Sequence, residues 1–144
     1  MIEEDTVKML RECDSGIKMG VGSISDVLDH VNDEKLRDKL TRSKEEHEKL
    51  GTEINSILES YSDEGKNPNP VIKGMSWIKT NVTLAINGSD SRVAELIMDG
   101  CNMGVKSLSR YLNQYKAADE QSKDIAKRLI ELEDRLSTDM RGYL

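Results

Sequence analysis

Ten residues, Gly16 to Ser25, return 84 positions later as Gly100 to Ser109. Six of the ten are identical: Gly16/Gly100, Met19/Met103, Gly20/Gly104, Val21/Val105, Ser23/Ser107 and Ser25/Ser109. Leu28 and Leu112 extend the match. Two amphipathic helices can agree by chance in their apolar positions, but glycine, methionine and serine matched at one offset weigh against chance. The acidic turns Asp33-Glu34 and Asp119-Glu120 also correspond. A match at fixed spacing marks a duplicated supersecondary unit, so the chain reads as two copies of one helical hairpin.

Within each copy, apolar residues recur at steps of three and four, the period of one helix face. The first stripe runs Val7, Leu10, Cys13, Ile17, Val21, Ile24, Val27/Leu28, Val31; the second Leu36, Leu40, Ser43, His47, Leu50, Ile54, Ile57/Leu58, Tyr61. A third helix is expected to begin near Ser89 or Asp90, with the stripe Val93, Ile97, Cys101, Gly104/Val105, Leu108, Tyr111/Leu112, Tyr115. The fourth reads Ile125, Leu129, Leu132, Leu136, Met140, Tyr143. Asn32-Asp33-Glu34 and Asp119-Glu120 supply turns with acidic helix starts. Gly65, Pro68 and Pro70 forbid a continuous helix after Tyr61. No segment alternates as a strand would. The chain has 144 residues, no Phe, 3% aromatic and 33% charged residues. That length suits one domain with a sizeable core, and the core must be filled by Leu, Ile, Val and Met. The expected fold is all-α: a four-helix bundle of two hairpins, about residues 5–61 and 89–144, joined by a crossover over 62–88. The crossover is expected to carry its own helix, Val71 to about Ile86.

The formal charge of −6, with no basic tail, argues against nucleic-acid binding, which needs a basic footprint for phosphate contacts. The start Met1-Ile2-Glu3-Glu4-Asp5 lacks the positive and apolar stretches of a secretory signal. No run approaches the roughly 18 apolar residues of a membrane span. A cytoplasmic location is therefore expected, with Cys13 and Cys101 as free thiols.

Glycine inside a helix costs about 1 kcal/mol relative to Ala, yet GxxxG occurs twice, at Gly16/Gly20 and Gly100/Gly104. A missing Cβ lets backbones approach, so these glycines are expected to bring the first and third helices together about a local two-fold. The alternative is a ligand approaching bare backbone.

The paired hairpins, the long crossover and the motifs Cys13-Asp14-Ser15-Gly16, His47-Glu48-Lys49-Leu50-Gly51 and Asp99-Gly100-Cys101 resemble the ferritin-like superfamily over nearly the whole chain. Within it they look closest to small bacterial ferritin-like proteins catalogued as a domain of unknown function. The resemblance implies a di-iron frame, with a Glu on each of two helices and Glu-x-x-His on each of the others. Two adjacent cations need several carboxylates for charge and bridging, with imidazoles to complete the coordination. In that frame Ile17 and Cys101 stand where Glu is implied. Lys44-x-x-His47 and Glu133-x-x-Leu136 stand for the two Glu-x-x-His motifs. Of six ligands only His47 and Glu133 remain, so no cofactor and no ferroxidase, oxygenase or iron-storage activity is expected. A reduced site is the alternative: His47, Glu133, Cys101 and Asp14 lie on or beside inward stripes, and their side chains all ligate zinc. The bland reading of the same residues is a buried His bonded to a carboxylate beside a small apolar thiol, with Asp14 reaching solvent at the stripe edge. No P-loop, GxSxG or Cys-x-x-Cys is present. His30 reads as a surface residue.

In the crossover, Val71, Met75, Ile78, Val82 and Ile86 form one stripe, and Trp77 and Leu84 fall opposite. Exposed Trp and Leu together mark an interface, so homo-oligomerisation or a protein partner is expected through Trp77 and Leu84. Alternatively a break at Gly74 turns Trp77 inward, or Lys73 and Lys79 favour a membrane surface. The leading functional expectation is a non-enzymatic bundle acting through protein contacts. The second is a metal-binding protein with a reduced, non-di-iron site.

Overall fold

Each hairpin's second helix starts on an aspartate that accepts a hydrogen bond from its own first turn. Asp33 accepts from the Leu36 backbone N–H at 2.9 Å, and Asp119 from that of Ser122 at 2.8 Å. Such caps satisfy N–H groups that have no partner within the helix. The computed structural model describes residues 2–63, 65 and 89–144, which form four long helices. They are α1 (Ile2–Leu28), α2 (Glu34–Ser60), α3 (Asp90–Gln114) and α4 (Glu120–Met140), followed by a 3-10 turn over Arg141–Tyr143. Ser89 caps α3, accepting from the Arg92 N–H. Among the described residues there is no strand, and no helix is long and apolar enough to cross a membrane. The expected crossover helix, with Trp77 and Leu84, lies outside the described residues.

Side-chain pairings fix the directions. Between α1 and α2, Gly20 faces His47 and Gly51 faces Ile17, so numbers rise on one helix as they fall on the other. Between α2 and α4 the ladder Glu53–Arg128, His47–Glu133, Glu46–Arg135 is likewise antiparallel. Between α1 and α4, Thr6 meets Asp119, Gly16 meets Leu129 and Gly20 meets Glu133, a parallel pair. Neighbours around the bundle run α1, α2, α4, α3 and back to α1, while α1 and α4 also touch across one diagonal. Helices α2 and α3 are therefore parallel, and the end of α2 and the start of α3 lie at opposite ends of the bundle.

The two ends are tied by matching contacts. The Asp90 carboxylate accepts from the backbone N–H groups of Asn32 and Asp33, at 2.8 and 2.9 Å, so the start of α3 holds the α1–α2 turn. At the opposite end Thr6 Oγ1 accepts from the Asp119 N–H at 2.8 Å, and Asp5 from that of Ala117 at 3.1 Å. There the start of α1 holds the α3–α4 turn.

The interior forms two apolar clusters. One gathers Ile24, Val27, Leu36, Leu40, Leu96, Ile97, Leu136 and Met140; the other Met9, Leu10, Cys13, Ile17, Ile54, Leu58, Ile125 and Leu129. Between them lies a cross-section made of Gly20, His47, Gly104 and Glu133. Burial of the apolar clusters supplies the main drive to fold.

Thr6 is almost fully buried, and Thr6→Val keeps its shape while removing the acceptor for the Asp119 N–H. We expect Thr6→Val and Asp90→Ala each to lower stability by about 1–2 kcal/mol. Urea unfolding checks this, and an unchanged midpoint in both would mean that the turn ties contribute nothing.

Candidate functional site

His47 is completely buried on the inner face of α2. Its Nδ1 lies 2.7 Å from the Ser43 carbonyl oxygen, one turn earlier on the same helix. A carbonyl only accepts, so Nδ1 carries a proton and donates it. Nε2 lies 3.0 Å from Glu133 Oε1, reaching in from α4. Both ring nitrogens are thus engaged by the protein. Burial disfavours the charged ring most strongly. The hydrogen bond and charge of Glu133, helped by the Ser43 carbonyl and Glu46, outweigh it, and the His47 pKa lies above its ordinary value.

The third member is Cys101 of α3. Burial first, then the charge of Glu133 and a hydrogen bond to it, push its pKa up. The thiol therefore stays protonated and donates to the carboxylate. It is a poor nucleophile and a poor metal ligand in this state. Cys13, in the apolar cluster nearer the start of α1, is pushed up to about 12 by burial, then by Glu12 and Asp14. Both cysteines are free.

Two glycines make room for this layer. A Cβ on Gly20 would sit 3.2 Å from both Cδ2 and Nε2 of His47, and 3.7 Å from Glu133 Oε1. A Cβ on Gly104 would meet the Glu133 carboxyl at 3.6 Å. The sequence pattern pointed these glycines at an α1–α3 contact. Helices α1 and α3 do pack together, but the bare backbone at Gly20 and Gly104 faces the imidazole and carboxylate of α2 and α4. Gly16 faces Leu129 at 4.0 Å, and Gly100 is half-buried.

Of the four residues proposed for a reduced metal site, three meet: His47, Glu133 and Cys101. Asp14 does not join them. It stands six residues before Gly20 on α1, about 9 Å along the axis. It does not reach solvent either, being 1% exposed and paired with Lys18 at 2.9 Å. Beside it the chain leaving α2 turns through Ser62 and Gly65, both at positive φ. A Cβ on Gly65 would come within 2.5 Å of the Asp14 carboxylate, so only glycine fits this conformation and this approach. Asp14 thus belongs to the exit from α2.

Counted from the two capping aspartates, His47 corresponds to Glu133 rather than to Leu136. His47 and Glu133 each stand fourteen residues after the capping aspartate of their helix, and they contact one another directly. The residues present do not fit a two-metal centre. Ile17 is buried against Gly51, Cys101 is a protonated thiol, Leu136 is apolar core, and His47 has no free nitrogen. Among the described residues no group of three or more His, Cys, Asp or Glu side chains is arranged to hold a metal ion. His30 is exposed at the end of α1.

Gly22, by contrast with Gly20, has open space where a Cβ would go. His47 is clamped between Ser43 and Glu133 and cannot retreat freely from a methyl on Gly20. We expect Gly20→Ala to be less stable than Gly22→Ala by about 1–3 kcal/mol. Chemical denaturation of the two variants checks this; equal stabilities would show that the imidazole is not tightly held. No family model, curated protein or solved structure matches the chain.

Proposed function

We propose that the chain is a ferritin-like bundle that has lost metal chemistry and acts through protein contacts, as a self-associating or partner-binding scaffold. The observation that carries this is the closed state of the central layer. At the level where ferritin-like proteins gather carboxylates around cations, the only buried carboxylate belongs, among the described residues, to Glu133, and it is committed to His47 and Cys101.

The topology supports the ferritin-like assignment: two antiparallel hairpins, with α2 parallel to α3. The turn ties support the duplication. Thr6 and Asp90 stand 84 residues apart, as Gly16 and Gly100 do, and each holds the N-cap aspartate of the other hairpin. Surface methionines are consistent with a role in contacts. Met19 and Met103, another pair at the same offset, are 37% and 61% exposed. Trp77 and Leu84 of the crossover remain the proposed anchors, because Trp is over-represented among residues that dominate interfaces.

Two measurements test the proposal. Protein purified without chelator is expected to hold far less than one equivalent of Fe, Mn or Zn; a stoichiometric metal lost in His47→Ala would replace it with the reduced-site alternative. Sedimentation at micromolar concentration is expected to show a dimer or larger species, weakened at least tenfold by Trp77→Ala, about 1.4 kcal/mol. A monomer indifferent to that substitution would remove the self-association half.

A further inference from the structure

We propose that the His47–Glu133 contact holds one proton and acts as a pH-responsive latch between α2 and α4, closed while the proton is present and loosened when it leaves. The argument starts from geometry. With Nδ1–H committed to the Ser43 carbonyl, a neutral ring would present a lone pair at Nε2. Glu133 Oε1 stands 3.0 Å away, and an ionised carboxylate offers only lone pairs. Two acceptors do not settle at that distance without a proton between them. An imidazole is ordinarily a stronger base than a carboxylate, so the proton resides on Nε2.

Every element packed on the imidazole bears on this. From α2 itself come the Ser43 carbonyl and hydroxyl and Glu46, the last paired with Arg135 of α4 at 3.3 Å. From α4 comes Glu133, from α3 Cys101 by way of that carboxylate, and from α1 only Gly20, which carries no charge. No cation among these groups competes for the Glu133 carboxylate. Loss of the proton breaks the Nε2–H bond and releases H⁺ to water. A neutral ring and an anionic carboxylate are left facing each other inside the core, where unpaired charge is expensive.

The direction follows from linkage. His47 is raised above the 6.5 of a free imidazole. Its contribution is therefore fully present below about pH 6.5 and disappears as pH rises through the folded-state value.

Glu133→Gln provides the test, because a side-chain amide donates to a neutral Nε2 while its oxygen still accepts from Cys101. The latch is then closed without the extra proton. For the unaltered protein Tm is expected to fall by roughly 3–5 °C between pH 6.5 and 9, and in Glu133→Gln by less than about 1 °C. Imidazole ¹⁵N spectra at pH 6.5 are expected to show both His47 nitrogens protonated. These spectra use the unaltered protein, so the proposal stays exposed even if the variant folds poorly. A flat Tm in the unaltered protein, the same slope in Glu133→Gln, or an Nε2 without a proton at pH 6.5 would each overturn it.

Discussion

The imidazole of His47 and the carboxylate of Glu133 meet in the cross-section of the bundle where α1 and α3 offer glycine. The packing of the four helices at this level follows from that constraint. An imidazole and a carboxylate side by side need more width than a layer of aliphatic side chains leaves. Gly20 and Gly104 provide it by removing a Cβ from each flanking helix. Away from this layer in both directions the interior returns to Leu, Ile, Val and Met, in two separate clusters.

A buried ion pair is a poor source of net stability, since desolvation takes back most of the Coulomb energy. Its effect lies in what it forbids. If α4 slid one turn along α2, His47 would meet an aliphatic side chain, and Glu133 would enter an apolar cluster unpaired, at a cost of about 3–5 kcal/mol. The amphipathic stripes alone would tolerate such a slide, because apolar residues recur every turn on both helices. The polar pair therefore sets the α2–α4 register, a role best attested for buried polar groups in helical seams. The surface pairs Glu53–Arg128 and Glu46–Arg135 agree with that register. Their exposure limits each to about 0–1 kcal/mol.

Much of this was legible in the sequence, for specific reasons. Asp33, Ser89 and Asp119 announce helix starts because capping is local chemistry. The stripes announce helices because the period is intrinsic to the backbone. The meeting of His47, Glu133 and Cys101 was legible only as possible, since stripe phase leaves frames one turn apart equally plausible. The signal that selects the frame was present in the caps: each of the two polar residues lies fourteen positions past its capping aspartate. The repeat hid it, because Gly20 precedes Asp33 by thirteen residues while Gly104 precedes Asp119 by fifteen. Asp14 was misplaced for a different reason. Its burial depends on the approach of Gly65, beyond the end of α2, and no local pattern on α1 encodes that approach.

The glycines connect packing to chemistry. Each costs its helix about 1 kcal/mol in propensity, a cost that close helix packing alone would not require at a position facing two polar side chains. They are explained by the volume and fixed orientation of the imidazole, which is held at Nδ1 from one side and at Nε2 from the other. A ring clamped this way cannot rotate to find a new partner when its proton departs. In the proposed latch the loosened contact lies in the seam between α2 and α4, where Leu50 and Leu132 are apolar and nearly fully buried.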